Sequence, residues 1–278
     1  MKPASLEYVR PRSMEEALAV LSDETANAKI FAGGQSLGPM LNLRLTRPAK
    51  LVDIRHIPEL KAVRADARLC SIGATFTHAE LEDGAIEDFT RGLLPYVARG
   101  IAYRAVRNRG TVGGSLAHAD PAADWVSTMA AIDATIVIRG QAGERRVPAQ
   151  QFLAGAFTTE LGDTELLTAV ELPRFSAAAR WGYYKVCRKT GEFAKAIGLA
   201  IQDPKIGLFR ILAGSPEGRP ALLTRSAETL ATRGAEHAAR DAREEIEEVL
   251  PNLAPAHRQQ LIAAVQRSLG QILLVEAA

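Results

Sequence analysis

The sequence predicts an α+β protein of two unequal lobes, on three grounds. First, short apolar runs such as Lys29-Ile30-Phe31-Ala32 and Thr135-Ile136-Val137-Ile138-Arg139, next to glycine turns, have the length and composition of strands. Second, beyond residue 177 a meander of strand-like runs is followed by apolar residues at helical spacing among charges, strands first and helices after. Third, the Ala-rich segment Ser176-Ala177-Ala178-Ala179 follows a strand that stops at Pro173, and it marks the boundary between the lobes. A chain of 278 residues can bury a sizeable core in either lobe.

The elements follow in order. Ser13-Met14-Glu15-Glu16 has the spacing of a capping box, with Ala17, Leu18, Val20 and Leu21 as the apolar face of the helix it opens. The strand Lys29 to Ala32 runs into a Gly-Gly turn, and Leu37 to Leu45 reads as a helix or turn behind it. Leu51 to Ile54 and Leu69 to Ala74 are further strands, and Thr77 to Leu81 begins a helix. Pro95 to Arg104 leads by a basic loop to a second Gly-Gly segment. Trp125 to Ile132, apolar and free of Gly and Pro, suits a helix starting just past Asp124. Thr135 to Arg139 and the turn Gly140-Gln141-Ala142-Gly143 form one side of a hairpin, and Glu165 to Leu172 is another strand. In the second lobe, Trp181 to Val186, Ala196 to Ile201 and Gly207 to Leu212 are the meander, with a turn at Gly214-Ser215-Pro216-Glu217-Gly218. Ala235, Ala238, Ala242, Ile246 and Val249 mark one helix, and Leu261, Val265 and Leu269 a second.

Lys plus Arg total 34 against 32 Asp plus Glu, a formal charge of +2 that favours neither nucleic acid nor an anionic membrane surface. Cys70 and Cys187 stand far apart without a CxxC or Cys/His cluster, so they read as reduced thiols in or near a core. The start lacks a signal-peptide apolar run and no stretch is long enough to span a bilayer, which sets a cytoplasmic location as the expectation.

The chemistry is concentrated in two segments of one grammar. Ala32-Gly33-Gly34-Gln35-Ser36 and Thr111-Val112-Gly113-Gly114-Ser115 each place Gly-Gly before a polar residue, and the second continues into Asp120-Pro121-Ala122-Ala123-Asp124. Glycine pairs let a backbone press against a ligand with its N–H groups exposed, which suits a phosphate. Neither segment is a GxGxxG fingerprint or a P-loop. Gly34-Gln35-Ser36-Leu37-Gly38 also fits the GxSxG nucleophile elbow of a serine hydrolase. Only 35 residues precede Ser36, however, and the only late histidines, His237 and His257, lie in Ala-rich or charged helical sequence. His118, inside the second segment, is either a ligand contact or a hydrogen-bonded structural residue. Lys185, Arg188 and Lys189, near Trp181, Tyr183 and Tyr184, are either a solvated basic edge or a site.

The two glycine segments, Val106-Arg107-Asn108-Arg109-Gly110 before the second, Asp120 to Asp124, and Lys185-Val186-Cys187-Arg188-Lys189 occur in the order and spacing of a known family. Over nearly its whole length the chain resembles the FAD-binding medium subunit of molybdenum hydroxylases, the family of carbon monoxide dehydrogenase medium chains and bacterial xanthine dehydrogenase flavin subunits. The resemblance implies an FAD-binding domain of the vanillyl-alcohol oxidase type at 1–176, with α+β subdomains at about 1–55 and 56–176, and a smaller α+β C-terminal domain at 177–278. It implies that Ala32, Gly33, Gly34, Gln35 and Ser36, with Thr111, Val112, Gly113, Gly114 and Ser115, wrap the FAD diphosphate from opposite sides, mostly through backbone N–H groups. By the same resemblance Asp124 holds ribose hydroxyls, Leu166 and Ile101 are apolar neighbours of the cofactor, and Lys185 is a basic contact near the flavin or its diphosphate. Lys29 and Ala117 border the two segments. Gln35 stands where relatives often carry His, Ser115 where they carry Asn, and Phe193 where the carbon monoxide dehydrogenase type places Tyr against the ring. The implied activity is that of an oxidoreductase subunit with no catalytic residue for the hydroxylation and no metal site of its own. It would pass electrons from two [2Fe-2S] clusters on a small subunit through FAD to an external acceptor, with the molybdenum cofactor on a large subunit, in a dimer of heterotrimers. The alternative is an assembly subunit that keeps the fold without flavin.

Overall fold

The structure is a computed structural model and describes residues 2–276. The chain begins with β1 (Glu7–Val9), α1 (Met14–Leu21), β2 (Ala28–Phe31), α2 (Leu37–Asn42) and β3 (Lys50–Asp53), and its strands form a parallel sheet of order β1-β3-β2. The Ser13 hydroxyl accepts the Glu16 N–H at 3.2 Å as expected, but the Glu16 carboxylate accepts from the N–H of Arg12 at 2.7 Å. Met14, Ala17, Leu18 and Leu21 on α1 pack on Val52, Ile54, Ile57 and Leu60, a core that Leu166 from the next sheet completes. Full burial of each such aliphatic side chain contributes ~1.5–3 kcal/mol.

The middle of the chain contains β4 (Val63–Ala65), β5 (Leu69–Gly73), α3 (His78–Glu82), α4 (Leu93–Arg99), α5 (Arg104–Arg107), α6 (Val112–His118) and α7 (Asp124–Ala131). After these come β6 (Thr135–Gly140), β7 (Gly143–Pro148), α8 (Ala149–Phe152), β8 (Leu153–Gly155), β9 (Thr158–Thr159) and β10 (Leu166–Pro173). An antiparallel sheet of order β4-β5-β10-β6-β7 results, with β6 and β7 as the expected hairpin. Two differences from the sequence reading matter for the site. The stretch read as a basic loop folds into α4 and α5, and the second Gly-Gly pair is the first turn of α6. Every residue of α7 is buried, which explains its freedom from charges after Asp124.

The last part has β11 (Arg180–Val186), β12 (Ala196–Asp203), β13 (Leu208–Gly214) and β14 (Ala221–Leu222) in an antiparallel sheet, then α9 (Thr224–Arg233), α10 (Ala235–Val249) and α11 (Pro255–Glu276). The period-two rule is visible on β12. Ile197, Leu199 and Ile201 face the core around α7, while Ala196 and Ala200 face the core formed with α9 to α11. The small face lets α11 lie against backbone: a Cβ on Gly198 would stand 2.3 Å from the Ala264 carbonyl, and one on Gly182 1.9 Å from the Ser268 oxygen. Three helices follow the meander instead of two: the additional one, α9, buries Ser226, Thr229 and Leu230. Val249, read as the last apolar position of α10, is exposed.

Candidate functional site

The two glycine segments meet backbone to backbone. A Cβ added to Gly33 would lie 2.3 Å from the Arg109 carbonyl oxygen and 2.7 Å from Gly110 Cα, so glycine is what permits the approach. Gly34 has φ +71°, a left-handed conformation, and sits on the Phe31 ring. Gly114 turns toward the first segment, with an added Cβ 3.9 Å from that of Ala32.

Their N–H groups are used differently. Thr111 caps α6, its hydroxyl accepting from Gly114 N at 3.0 Å and its carbonyl from Ser115 N at 3.0 Å. Val112 N donates to the Phe76 carbonyl and Gly113 N to that of Ala74. The N–H groups of residues 112–115 are therefore spent on the protein, contrary to the expectation that both segments offer theirs. The physical reason is that this segment both bridges to Thr77 and starts a helix, and each role consumes donors. In the first segment, among the described residues, the backbone N–H groups of Gly33, Gly34, Gln35 and Ser36 donate no hydrogen bond, and the Gln35 amide donates to the Gly33 carbonyl at 3.2 Å. Unmatched backbone donors on a tight turn make an anion-binding concavity.

Behind the first segment stands an ion-pair cage that the sequence reading missed. Asp53, fully buried at the end of β3, accepts hydrogen bonds from Arg55 Nε and Nη2, each at 2.8 Å, and from the Tyr8 hydroxyl. Arg55 lies 5.1 Å above the Phe31 ring, the same ring that underlies Gly34. Burial alone would push the Asp53 carboxyl up, but hydrogen bonds from Arg55 and Tyr8 outweigh it and hold the group at about 2. The signal in the sequence was Asp53-Ile54-Arg55 at a strand end, an acid and a base on the same side of the chain.

Asp124 and Lys185, 61 residues apart, form a buried pair: Lys185 Nζ lies 2.9 Å and 3.0 Å from the two carboxylate oxygens and also donates to the Gly100 carbonyl. The Tyr183 hydroxyl donates to Asp124 at 2.6 Å. Burial raises the Asp124 carboxyl, opposed by Lys185 and Tyr183, and burial beside that carboxylate raises the Tyr183 phenol. Lys185 is thus no solvated edge, whereas Arg188 and Lys189 are exposed. Next to Gly100, Ile101 bridges to Gly191, whose carbonyl accepts the Ala102 N–H, and Phe193, two residues further on, is 63% exposed.

Leu166 is buried in the core against which Ile30 and Ala32 pack, so it supports the first segment from behind and is not a surface contact. Lys29 and Ala117 are exposed on β2 and α6. His118 stacks on Phe157 at 5.3 Å between ring centroids. The hydrolase reading finds no partner for Ser36: His237 bonds the Arg233 carbonyl and His257 bonds Glu217, both in the C-terminal part. Cys70 is buried, its thiol pushed up to about 12 by desolvation, as befits a core residue.

A parallel and an antiparallel sheet meet at two glycine segments, one with unpartnered backbone N–H groups, an arrangement suited to an anionic ligand. Residues 4–175 match the family described as the FAD binding domain in molybdopterin dehydrogenase, and the chain belongs to that family. The carbon monoxide dehydrogenase medium chain of Hydrogenophaga pseudoflava is 39% identical over 207 residues, 74% of this chain and 72% of that protein. The caffeine dehydrogenase subunit beta of Pseudomonas sp. (strain CBB1) is 35% identical over 215 residues, 76% of this chain and 73% of that one. Among solved structures, carbon monoxide dehydrogenase from Hydrogenophaga pseudoflava matches with a TM-score of 0.89 at 31% identity, over 99% of both chains. Quinoline 2-oxidoreductase from Pseudomonas putida 86 matches with a TM-score of 0.87 at 32% identity, over 100% of both. The chain is accordingly an FAD-binding component of a molybdenum-hydroxylase-type oxidoreductase.

Proposed function

We propose that this chain is the electron-transfer subunit of a heterotrimeric molybdenum hydroxylase, taking electrons from the [2Fe-2S] clusters of a small subunit and delivering them to an external acceptor. The molybdenum cofactor belongs to a large subunit, the assembly is a dimer of heterotrimers, and it works in the cytoplasm. The names of the relatives, a medium chain and a subunit beta, support a divided enzyme. The chain's 2 cysteines are fewer than the thiolates a [2Fe-2S] cluster takes, which supports placing the clusters elsewhere. Among the described residues no helix is long and apolar enough to cross a membrane.

The observation that carries the reading is the cradle itself. Four unengaged N–H groups at Gly33 to Ser36 fit a diphosphate, and the bare Cα of Gly114 leaves it room on the other side. Asp124, given a ribose contact by the resemblance, is held in place by hydrogen bonds from Tyr183 and twice from Lys185. Ile101 and Phe193 border the ring end, where Phe193 can stack but offers no hydroxyl. Bound there, FAD supplies the redox chemistry, and the protein supplies the phosphate cradle and the ring's surroundings. Stripping the full-length chain of flavin and titrating it with FAD tests this by absorbance: the bands of protein-bound flavin should appear and saturate at one per chain. A chain that stays colourless after FAD is added and the excess removed favours the assembly role.

A further inference from the structure

The rear of the second glycine segment rests on a pair of buried side chains that the cradle does not expose. His78 opens α3 behind a full capping box of Thr77 and Glu80, which fixes its backbone. Trp125, fully buried on α7, donates its indole N–H to His78 Nδ1 at 3.0 Å. An indole can only donate, so Nδ1 is an acceptor and the imidazole proton sits on Nε2. Burial and the nearby Arg107 keep this ring neutral, holding its titration down at about 4.

That ring edge lies on Gly110. A Cβ on Gly110 would stand 2.7 Å from His78 Nε2 and 2.9 Å from Cδ2, and the His78 N–H donates to the Gly110 carbonyl at 2.9 Å. Gly110 in turn is one of the two residues whose backbone Gly33 touches. The contacts run in one line, from Trp125 through His78 and Gly110 to Gly33, from the core helix to the loop that carries the free N–H groups.

We propose that His78 is a positioning residue: its neutral ring, fixed in one tautomer by Trp125, sets through Gly110 how closely the two glycine segments approach. The consequence for the cofactor rests on the FAD reading above; the consequence for the backbone does not. A donor turn misplaced by a fraction of an ångström loses much of its hydrogen bonding to a fixed ligand, which is how a residue that never touches FAD would govern its affinity.

A double-mutant cycle between His78 and Gly110 in the full-length chain tests this. His78→Asn keeps an acceptor for Trp125 but removes the ring edge, and Gly110→Ala adds the methyl group that the ring forbids. Each alone should weaken FAD binding, Gly110→Ala by about tenfold and His78→Asn by about threefold, while the double variant returns to within about threefold of the wild type because the methyl group fills the vacated space. Amide hydrogen exchange of the flavin-free chain gives the second readout. The backbone N–H groups of residue 78, whichever side chain it carries, and of Val112 should exchange faster in Gly110→Ala and regain protection in the double variant. Effects that simply multiply, or a His78→Asn chain unchanged in both readouts, overturn the proposal. Restored exchange protection in a chain whose wild type takes up no FAD supports the positioning role and overturns the flavin reading.

Discussion

The two glycine segments share a sequence grammar and put it to opposite uses. In the first, glycine gives the backbone a left-handed turn at Gly34 and leaves four N–H groups without a protein partner. In the second, the glycines begin a helix whose early N–H groups are already satisfied, and what Gly113 provides is closeness: a Cβ there would lie 2.5 Å from that of Ala74. One segment is a donor surface and the other a wall. Their supports differ to match, an ion-pair cage around the buried Asp53 for the first and buried aromatic side chains for the second.

The contrast breaks most completely at the point where the segments touch. Gly33→Ala places a methyl group against two backbone positions that cannot rotate away, so it should destabilise the chain by ~3 kcal/mol and abolish FAD binding together. Urea unfolding of the flavin-free chain and FAD titration measure the two effects, and full retention of FAD would mean that the segments need not touch.

Within the second segment the adjacent glycines should separate stability from binding. Gly113→Ala meets Ala74 and should cost about 2 kcal/mol of folding stability. Gly114→Ala meets only the Thr111 hydroxyl, so it should cost about 1 kcal/mol through the weakened cap while lowering FAD affinity about tenfold. Equal stability losses for the pair would erase the distinction between a glycine packed on the core and one turned toward the first segment.

The last effect is one of pH and belongs to the cage. Asp53 titrates at about 2 in the folded chain against an ordinary 3.8, so its contribution to stability is complete above 3.8 and is lost as the pH falls toward about 2. Asp53→Asn should flatten that acid limb of the stability curve. The limb is read from unfolding midpoints over this pH range, and a variant with the wild-type slope would assign the limb to other carboxylates.

The sequence made both glycine segments legible, and Ser13, the β6–β7 hairpin and the buried α7 as well, because each depends on residues close together in the chain. The use of the N–H groups was not legible, since it depends on Phe76 and Ala74 lying beside Val112 and Gly113. The Asp124–Lys185 pair joins two residues that were each singled out for the cofactor, yet nothing local says that they bond one another. His78 drew no reading from the sequence, although a histidine directly after a capping threonine already has a fixed backbone. Leu166 came from the resemblance alone, and nothing local to it in the sequence says that it lies in the core behind the first segment. Helix α9 escaped because its buried residues, Ser226, Thr229 and Leu230, include only one large apolar side chain.

The Asp124 pair also bears on the order in which the site is completed during synthesis. Asp124 leaves the ribosome well before Lys185, and the Tyr183 N–H bonds Gln271 of α11, the helix that lies on the glycine backbone of β11 and β12. A nascent chain that already contains both glycine segments therefore still has a carboxylate without its lysine and a strand without its cover. The cradle's two walls are written early in the chain, but the part beside Asp124 is finished only by residues translated near its end.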